Sequence, residues 1–226
     1  MPSVFITGAS RGLGLEFARQ FAADGWRVFA TCRTPSAANE LREVSGDVTV
    51  HALDVSDVEA VDRLAKCLDG EAIDLLINNA GIFGPREAPV TAENYQDWES
   101  IFRINTLAPY KVSTAFLPHI LRGQYKRIVT VSSRLASITE NTGGSIAYRS
   151  SKAAVNSVMK GWSHEVRPER ITVVVLSPGW VKTDMGGPEA RFTPEESVRS
   201  MRQVIAGLTL ADSGRFIGLD GSDIPW

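Results

Sequence analysis

The stretch Val4-Phe5-Ile6-Thr7-Gly8-Ala9-Ser10-Arg11-Gly12-Leu13-Gly14 decides the fold. Val4 to Ile6 is a short β-rich run. Glycines follow at 8, 12 and 14, and a helical pattern then begins, with Leu15, Phe17, Ala18, Phe21 and Ala22 as its apolar positions. Strand, glycine turn, helix is the order in which a chain builds a phosphate site. The glycines let the backbone approach an anion closely, and the first turn of the helix offers unpaired N–H groups and a partial positive charge. Taken alone, the same residues make a tight turn closed by a glycine. Their place at the start of the first βα unit points to a dinucleotide crevice.

Working outward, strands and helices alternate along the whole chain. Residues 26–31, 48–53, 73–77, 128–131, 171–176 and 215–219 read as further strands, most of them continuous apolar runs of the kind buried on both faces of a parallel sheet. Between them, 35–44 reads as a short helix. Residues 57–68 form an amphipathic one, with Val58, Val61, Leu64, Ala65 and Leu68 on one face. Residues 94–121 are mostly helical, with a kink expected around Asn105 to Pro109, since asparagine tends to bond locally inside a helix. The helix at 146–167 carries Ser150, Ser151, Ala153, Ala154 and Ser157 on exposed and semi-exposed sides, and the one at 193–208 has Thr193 as its cap. The expected fold class is α/β: one domain over residues 1–226, a doubly wound parallel sheet of about seven strands with helices on both faces.

At 226 residues, 43% hydrophobic and 22% charged, the chain can bury a full core as one domain. A net charge of -2 without a basic run argues against nucleic acid or an anionic membrane as the main partner. No apolar run approaches the ~18 residues that cross a bilayer, and the chain opens on a strand, so a soluble, cytoplasmic protein is expected. Cys32 and Cys67 lack C-x-x-C spacing and are expected to be reduced thiols in or near the core. The histidines, 51, 119 and 164, do not cluster, so no metal site is expected.

The second strand leads to Cys32, Arg33 and Thr34, where a site for NAD(H) would carry an acid for the ribose hydroxyls; an arginine suits a 2′-phosphate instead. Arg11 in the glycine turn could supply a second positive group. Asp54, just past the third strand, could accept from an adenine amino group, although Asp54 or Asp57 could equally cap the following helix. The fourth strand ends in Asn78-Asn79-Ala80-Gly81, small residues that permit close approach of a flat ligand or simply form a turn. The fifth runs into Ser132-Ser133, at the carboxyl edge where open α/β sheets place their ligands. Tyr148 and Lys152, four apart at the start of a helix, lie on one face; an ammonium beside a phenol is expected to lower its pKa and make a proton donor.

Together, T-G-A-S-R-G-L-G, L-D-V, N-N-A-G, the asparagine of R-I-N, S-S, Y-R-S-S-K and S-P-G-W-V-K-T-D-M resemble the classical short-chain dehydrogenase/reductases from end to end. Within that family, S-S-R-L-A-S-I and the tail G-R-F-I-G-L-D-G-S-D-I-P-W look most like the C-factor and sniffer-type carbonyl reductase branch. The resemblance implies a seven-stranded Rossmann sheet and a catalytic tetrad of Asn105, Ser133, Tyr148 and Lys152. Tyr148 would protonate a carbonyl, Lys152 would hold the nicotinamide ribose, Ser133 would orient the substrate, and Asn105 would hold a relay water. Ser133 is preferred to Ser132 because the family's serine is the second of the pair, and alternation turns the two side chains apart. Gly8, Ser10, Arg11, Gly12 and Leu13 would surround the pyrophosphate and adenosine, Asp54 and Val55 the adenine, Asn79, Ala80 and Gly81 the middle of the cofactor, and Pro178, Val181 and Thr183 the carboxamide.

The implied activity is reduction of an aldehyde, ketone or quinone with NADP(H), NAD(H) remaining open, by a homodimer or homotetramer. The rival is a cofactor-binding signalling or interaction protein of the C-factor type with little turnover. A short stretch between Met185 and Pro194, where many relatives carry a longer lid, implies an open substrate pocket.

Overall fold

The structure is a computed structural model that describes residues 1–84 and 90–226. Seven strands form one all-parallel sheet: β1 (Ser3–Ile6), β2 (Arg27–Cys32), β3 (Val48–Ala52), β4 (Leu75–Asn78), β5 (Arg127–Val131), β6 (Thr172–Ser177) and β7 (Phe216–Gly218), in the order β3-β2-β1-β4-β5-β6-β7. The chain winds outward from β1 in one direction and then restarts beside it with β4. The crevice for a ligand therefore opens at the carboxyl ends of β1 and β4, where the order reverses.

Period-two alternation divides the core. Val4 and Ile6 face the layer of α1 (Gly12–Ala23) and α8 (Pro194–Gly207), packing with Phe17, Phe21, Met201 and Ile205. Phe5, between them, points the other way, into the layer of α3 (Val58–Cys67), α5 (Ala108–Ala115) and α7 (Ile146–Glu165) with Val112, Val155 and Met159. Its ring lies 4.2 Å from that of Phe116 and both are fully buried. Burying such a side chain stabilises the fold by roughly 1.5–3 kcal/mol. Thr193 caps α8 with a complete capping box: its hydroxyl accepts from the Glu196 N–H, and the Glu196 carboxylate accepts from the Thr193 N–H.

Several expected elements are corrected. Residues 35–44 do not make one helix: a 3₁₀ turn at Pro35–Ala37 and a single α turn, α2 (Asn39–Arg42), are separated by Ala38, whose backbone (φ -93°, ψ 62°) is not helical. The helical run through 94–121 is α4 (Tyr95–Phe102), a π-helical turn at Arg103–Leu107, α5, and α6 (Leu117–Arg122) after a second break at Phe116. Asn105 thus lies in a widened turn, a feature often found at functional sites. Cys32 is buried as expected, but Cys67 is exposed. Ser151 is fully buried and not on a semi-exposed face. Among the described residues no helix is long and apolar enough to cross a membrane.

Candidate active site

At the crevice, Asn79 ties the end of β4 to the glycine turn. Its N–H donates to Thr7 Oγ1 (3.0 Å), and its Nδ2 donates to the carbonyls of Thr7 and Gly8 (both 3.0 Å), while the Ala80 N–H shares Thr7 Oγ1 at 3.1 Å. Gly8 has φ +67°, and a Cβ there would come within 2.9 Å of the Ala80 backbone, so both its conformation and the close approach of the two loops require glycine. Arg11, the N-cap of α1, makes no side-chain capping bond, and the first turn carries no acid. The helix end at Gly12 and Leu13 therefore keeps its orphan donors and positive pole for an anion, and the residues present fit a dinucleotide pyrophosphate.

The outer part of the crevice is wet. Arg33 is exposed, and its charge helps to hold the Asp54 carboxyl below the usual range, after the larger effect of the Ser56 hydroxyl. Asp54 Oδ1 accepts from both the N–H (2.9 Å) and the hydroxyl (2.7 Å) of Ser56, which leaves its other oxygen for a ligand. Asp57, not Asp54, caps α3, accepting from the Ala60 N–H at 2.9 Å. Arg11 is paired with Asp184 at 3.4 Å, both side chains largely in solvent. That pair joins the glycine turn to the loop after β6. In this loop the Pro178 carbonyl accepts from Ser197 Oγ (2.7 Å), Val181 is buried and bridges to Phe192, and Thr183 Oγ1 accepts from the Gly186 N–H. Val55 and Ser10 are half-buried along the same edge.

The inner part is dry. The two serines after β5 separate as alternation demands: Ser132 is buried and donates to Asn156 Oδ1 (2.6 Å), whereas Ser133 is half-buried and acts on the Tyr148 phenol, lowering its pKa. Ser133 Oγ also accepts from the Leu135 N–H at 3.2 Å. Tyr148 is 6% exposed and Lys152 5%. Burial pushes the phenol up to about 12, only partly offset by Ser133, and pushes the ammonium down to about 8. The expected lowering of Tyr148 by Lys152 is not found. Lys152 Nζ donates to the Val131 carbonyl (2.9 Å) and lies 5.9 Å from the centre of the tyrosine ring. Desolvation of a fully buried group can reach several pKa units, so it outweighs a charge turned toward another partner.

Asn105 also belongs to this cluster, through its side chain. Its Oδ1 accepts from the Ile82 N–H (2.9 Å), and its Nδ2 donates to the Ile82 carbonyl (2.8 Å) and to Ser151 Oγ (3.0 Å). Gly81, just before, lies so close that a Cβ there would meet Asn105 Oδ1 at 3.2 Å and Lys152 Nζ at 3.5 Å. Two members were missed in the sequence. Ser151, whose hydroxyl donates to the Tyr148 carbonyl at 2.8 Å, reads as one more small helix residue; Phe83, stacked on Tyr148, belongs to no sequence motif. The tyrosine-lysine spacing was the signal that could have found Ser151, since it lies between them in the sequence and a turn away from Tyr148.

With this geometry in place, the comparisons are specific. A profile described as short chain dehydrogenase matches residues 2–193. The chain belongs to the short-chain dehydrogenase family. It is 45% identical over 155 residues to the C-signal protein of Myxococcus xanthus, covering 68% of this chain and 93% of that one. Among solved structures it is similar to the carbonyl reductase Sniffer of D. melanogaster (TM-score 0.91, 33% identity, all of both chains). It is equally similar to an NADPH-bound carbonyl reductase from chicken fatty liver (TM-score 0.91, 34% identity, 100% of this chain and 99% of that one). Members of a short-chain dehydrogenase family are oxidoreductases, and this chain is one by descent and by fold.

Proposed function

We propose that this short-chain dehydrogenase reduces a carbonyl compound to an alcohol with NADPH, with Tyr148 as the proton donor. The observation that carries the reading is the buried Tyr148–Lys152 pair, with the half-buried Ser133 beside it, next to an uncapped helix end. Ser133 Oγ accepts from the Leu135 N–H and lowers the pKa of the neighbouring phenol, whose proton is the one to go to a substrate oxygen. Lys152, buried and depressed to about 8, is a cation that releases or takes a proton near neutrality and so restocks the tyrosine. NADPH, when bound, supplies the hydride. Arg33 and Arg11 are the residues to meet its 2′-phosphate, and Arg11 would leave Asp184 to do so. The carbonyl reductase that resembles this chain with NADPH bound supports the choice of cofactor.

Screening aldehydes, ketones, quinones and diketones for NADPH consumption tests the reading, with turnover of at least one class expected. A preparation that binds NADPH yet turns over no carbonyl overturns it in favour of a signalling role, the reading that the name of the C-signal relative suggests. For assembly, Ile146, 66% exposed, and the half-buried Ala153 and Ala154 on α7 support a homodimer or tetramer. Light scattering at micromolar concentration checks this, and a strict monomer counts against it.

A further inference from the structure

Phe83 lies just past Gly81 and Ile82 in the loop after β4, and its ring is stacked on Tyr148 with centroids 4.5 Å and planes 15° apart. The loop that carries it is clamped. Both backbone groups of Ile82 are bonded to the Asn105 amide, at 2.9 and 2.8 Å. The same amide bonds to Ser151, and Ser151 bonds to the backbone of Tyr148. The contacts close on themselves: Tyr148 ring, Phe83, Ile82 backbone, Asn105, Ser151, Tyr148 backbone. Tyr148 is therefore held at its ring and at its main chain by one device, and Asn105, buried in the π-helical turn, is the part common to both ends. A flat apolar face laid on the phenol ring also removes water from that side, consistent with its 6% exposure.

We propose that Phe83 is a positioning residue for the proton donor: it fixes the plane of the Tyr148 ring and keeps the phenol dry, with Asn105 setting its place through Ile82. The role deepens the reductase reading and rests on it for its kinetic part only. A loop that merely walled the pocket would change which substrates enter. A residue that dries and orients the phenol changes when it ionises and how fast it donates. The upward displacement of the Tyr148 phenol fits the second case.

Tyrosine labelled with carbon-13 at Cζ gives a readout that needs no turnover, the Tyr148 resonance being assigned by its loss in Tyr148→Phe. In the wild type this resonance is expected to hold its phenol position through about pH 10.5, beyond the ordinary tyrosine value of about 10. In Phe83→Ala it moves toward phenolate by then, an ionisation constant raised at least ~tenfold, the equivalent of one pKa unit. Kinetically, kcat for carbonyl reduction falls about tenfold with KM within about threefold, the pattern of an interaction made in the transition state. Phe83→Tyr, which keeps the flat face, restores both. A Phe83→Ala protein that is folded by circular dichroism, titrates Tyr148 as the wild type does and keeps kcat overturns the role. So does one that fails to fold while folded Phe83→Leu titrates like wild type. If the wild type reduces no carbonyl, the reductase reading falls, and the resonance still decides whether Phe83 dries the phenol.

Discussion

Tyr148 and Lys152, at the β4–β5 end of the sheet edge, are about one-twentieth exposed and both are driven toward their neutral forms by burial. Arg11, Arg33 and Asp54, at the β1–β3 end, stand in solvent, and Asp54 is pulled the other way, toward its charged form, by hydrogen bonds and a neighbouring cation. The same cleft thus has a dry half, where a proton can be held on a weak acid, and a wet half, where charge is kept for recognition. From that difference, substitutions in the dry half are expected to act on rate and on the pH dependence of stability. Those in the wet half are expected to act on the choice of ligand.

The largest test of that contrast is Tyr148→Phe, which removes one hydroxyl and leaves the ring stack with Phe83 in place. Turnover is expected to fall by at least ~100-fold while cofactor binding and folding persist. Steady-state kinetics near wild type would break the assignment of the dry half.

Next in size is the linkage of Lys152. Its pKa falls from an ordinary 10.5 to about 8 on folding. Between those values the unfolded chain holds a proton that the folded chain lacks, so stability rises with pH across this window and the cost of burying the charge is felt below it. Urea melts at about pH 7.5 and 9.5 should show the wild type gaining up to ~2 kcal/mol relative to the gain in Lys152→Met. Tyr148 works in the opposite sense, but only above about pH 10, where the unfolded phenol ionises first. Equal slopes for the two proteins would mean that Lys152 is hydrated.

The smallest effect is expected in the wet half. Arg33→Ala should reduce the ratio of kcat/KM for NADPH over NADH by roughly tenfold, the scale of one partly exposed charge-assisted bond, with little change in the rate with NADH. An unchanged ratio removes Arg33 from the 2′-phosphate site.

What the sequence made legible follows from how local the signal is. The strand and turn at Val4 to Gly8 and the splitting of Ser132 from Ser133 depend on near neighbours and on a period of two, and the structure agrees with both. The rest depends on which partner a group finds. Lys152 faced a choice between Tyr148 and the Val131 carbonyl, which spacing cannot resolve. Ser151 and Phe83 come to the cluster only because Asn105, 46 and 23 residues away respectively from Ser151 and Ile82, ties the loop after β4 to α7. Arg11 found Asp184, a residue in a different loop. The helix at 35–44 failed for a local reason of another kind: ten residues with a non-helical Ala38 cannot recover the cost of nucleation.

The strand order has a further consequence, for the chain as it is made. β1 leaves the ribosome before β4 yet needs it alongside, and the Asn79 bonds to Thr7 and Gly8 close a loop of 72 and 71 residues. Contacts so distant in sequence come late in folding, because the entropy of closing the loop must be met before they form. The glycine turn therefore waits, without its partner, through the synthesis of two more strands, and the loop after β6 arrives later still. A truncated product ending before β6 would carry every residue of the dry half and still lack the strand that backs Ser132 through the Leu176 carbonyl. The two sides of the crevice therefore come together late, once β6 and the loop after it have been made.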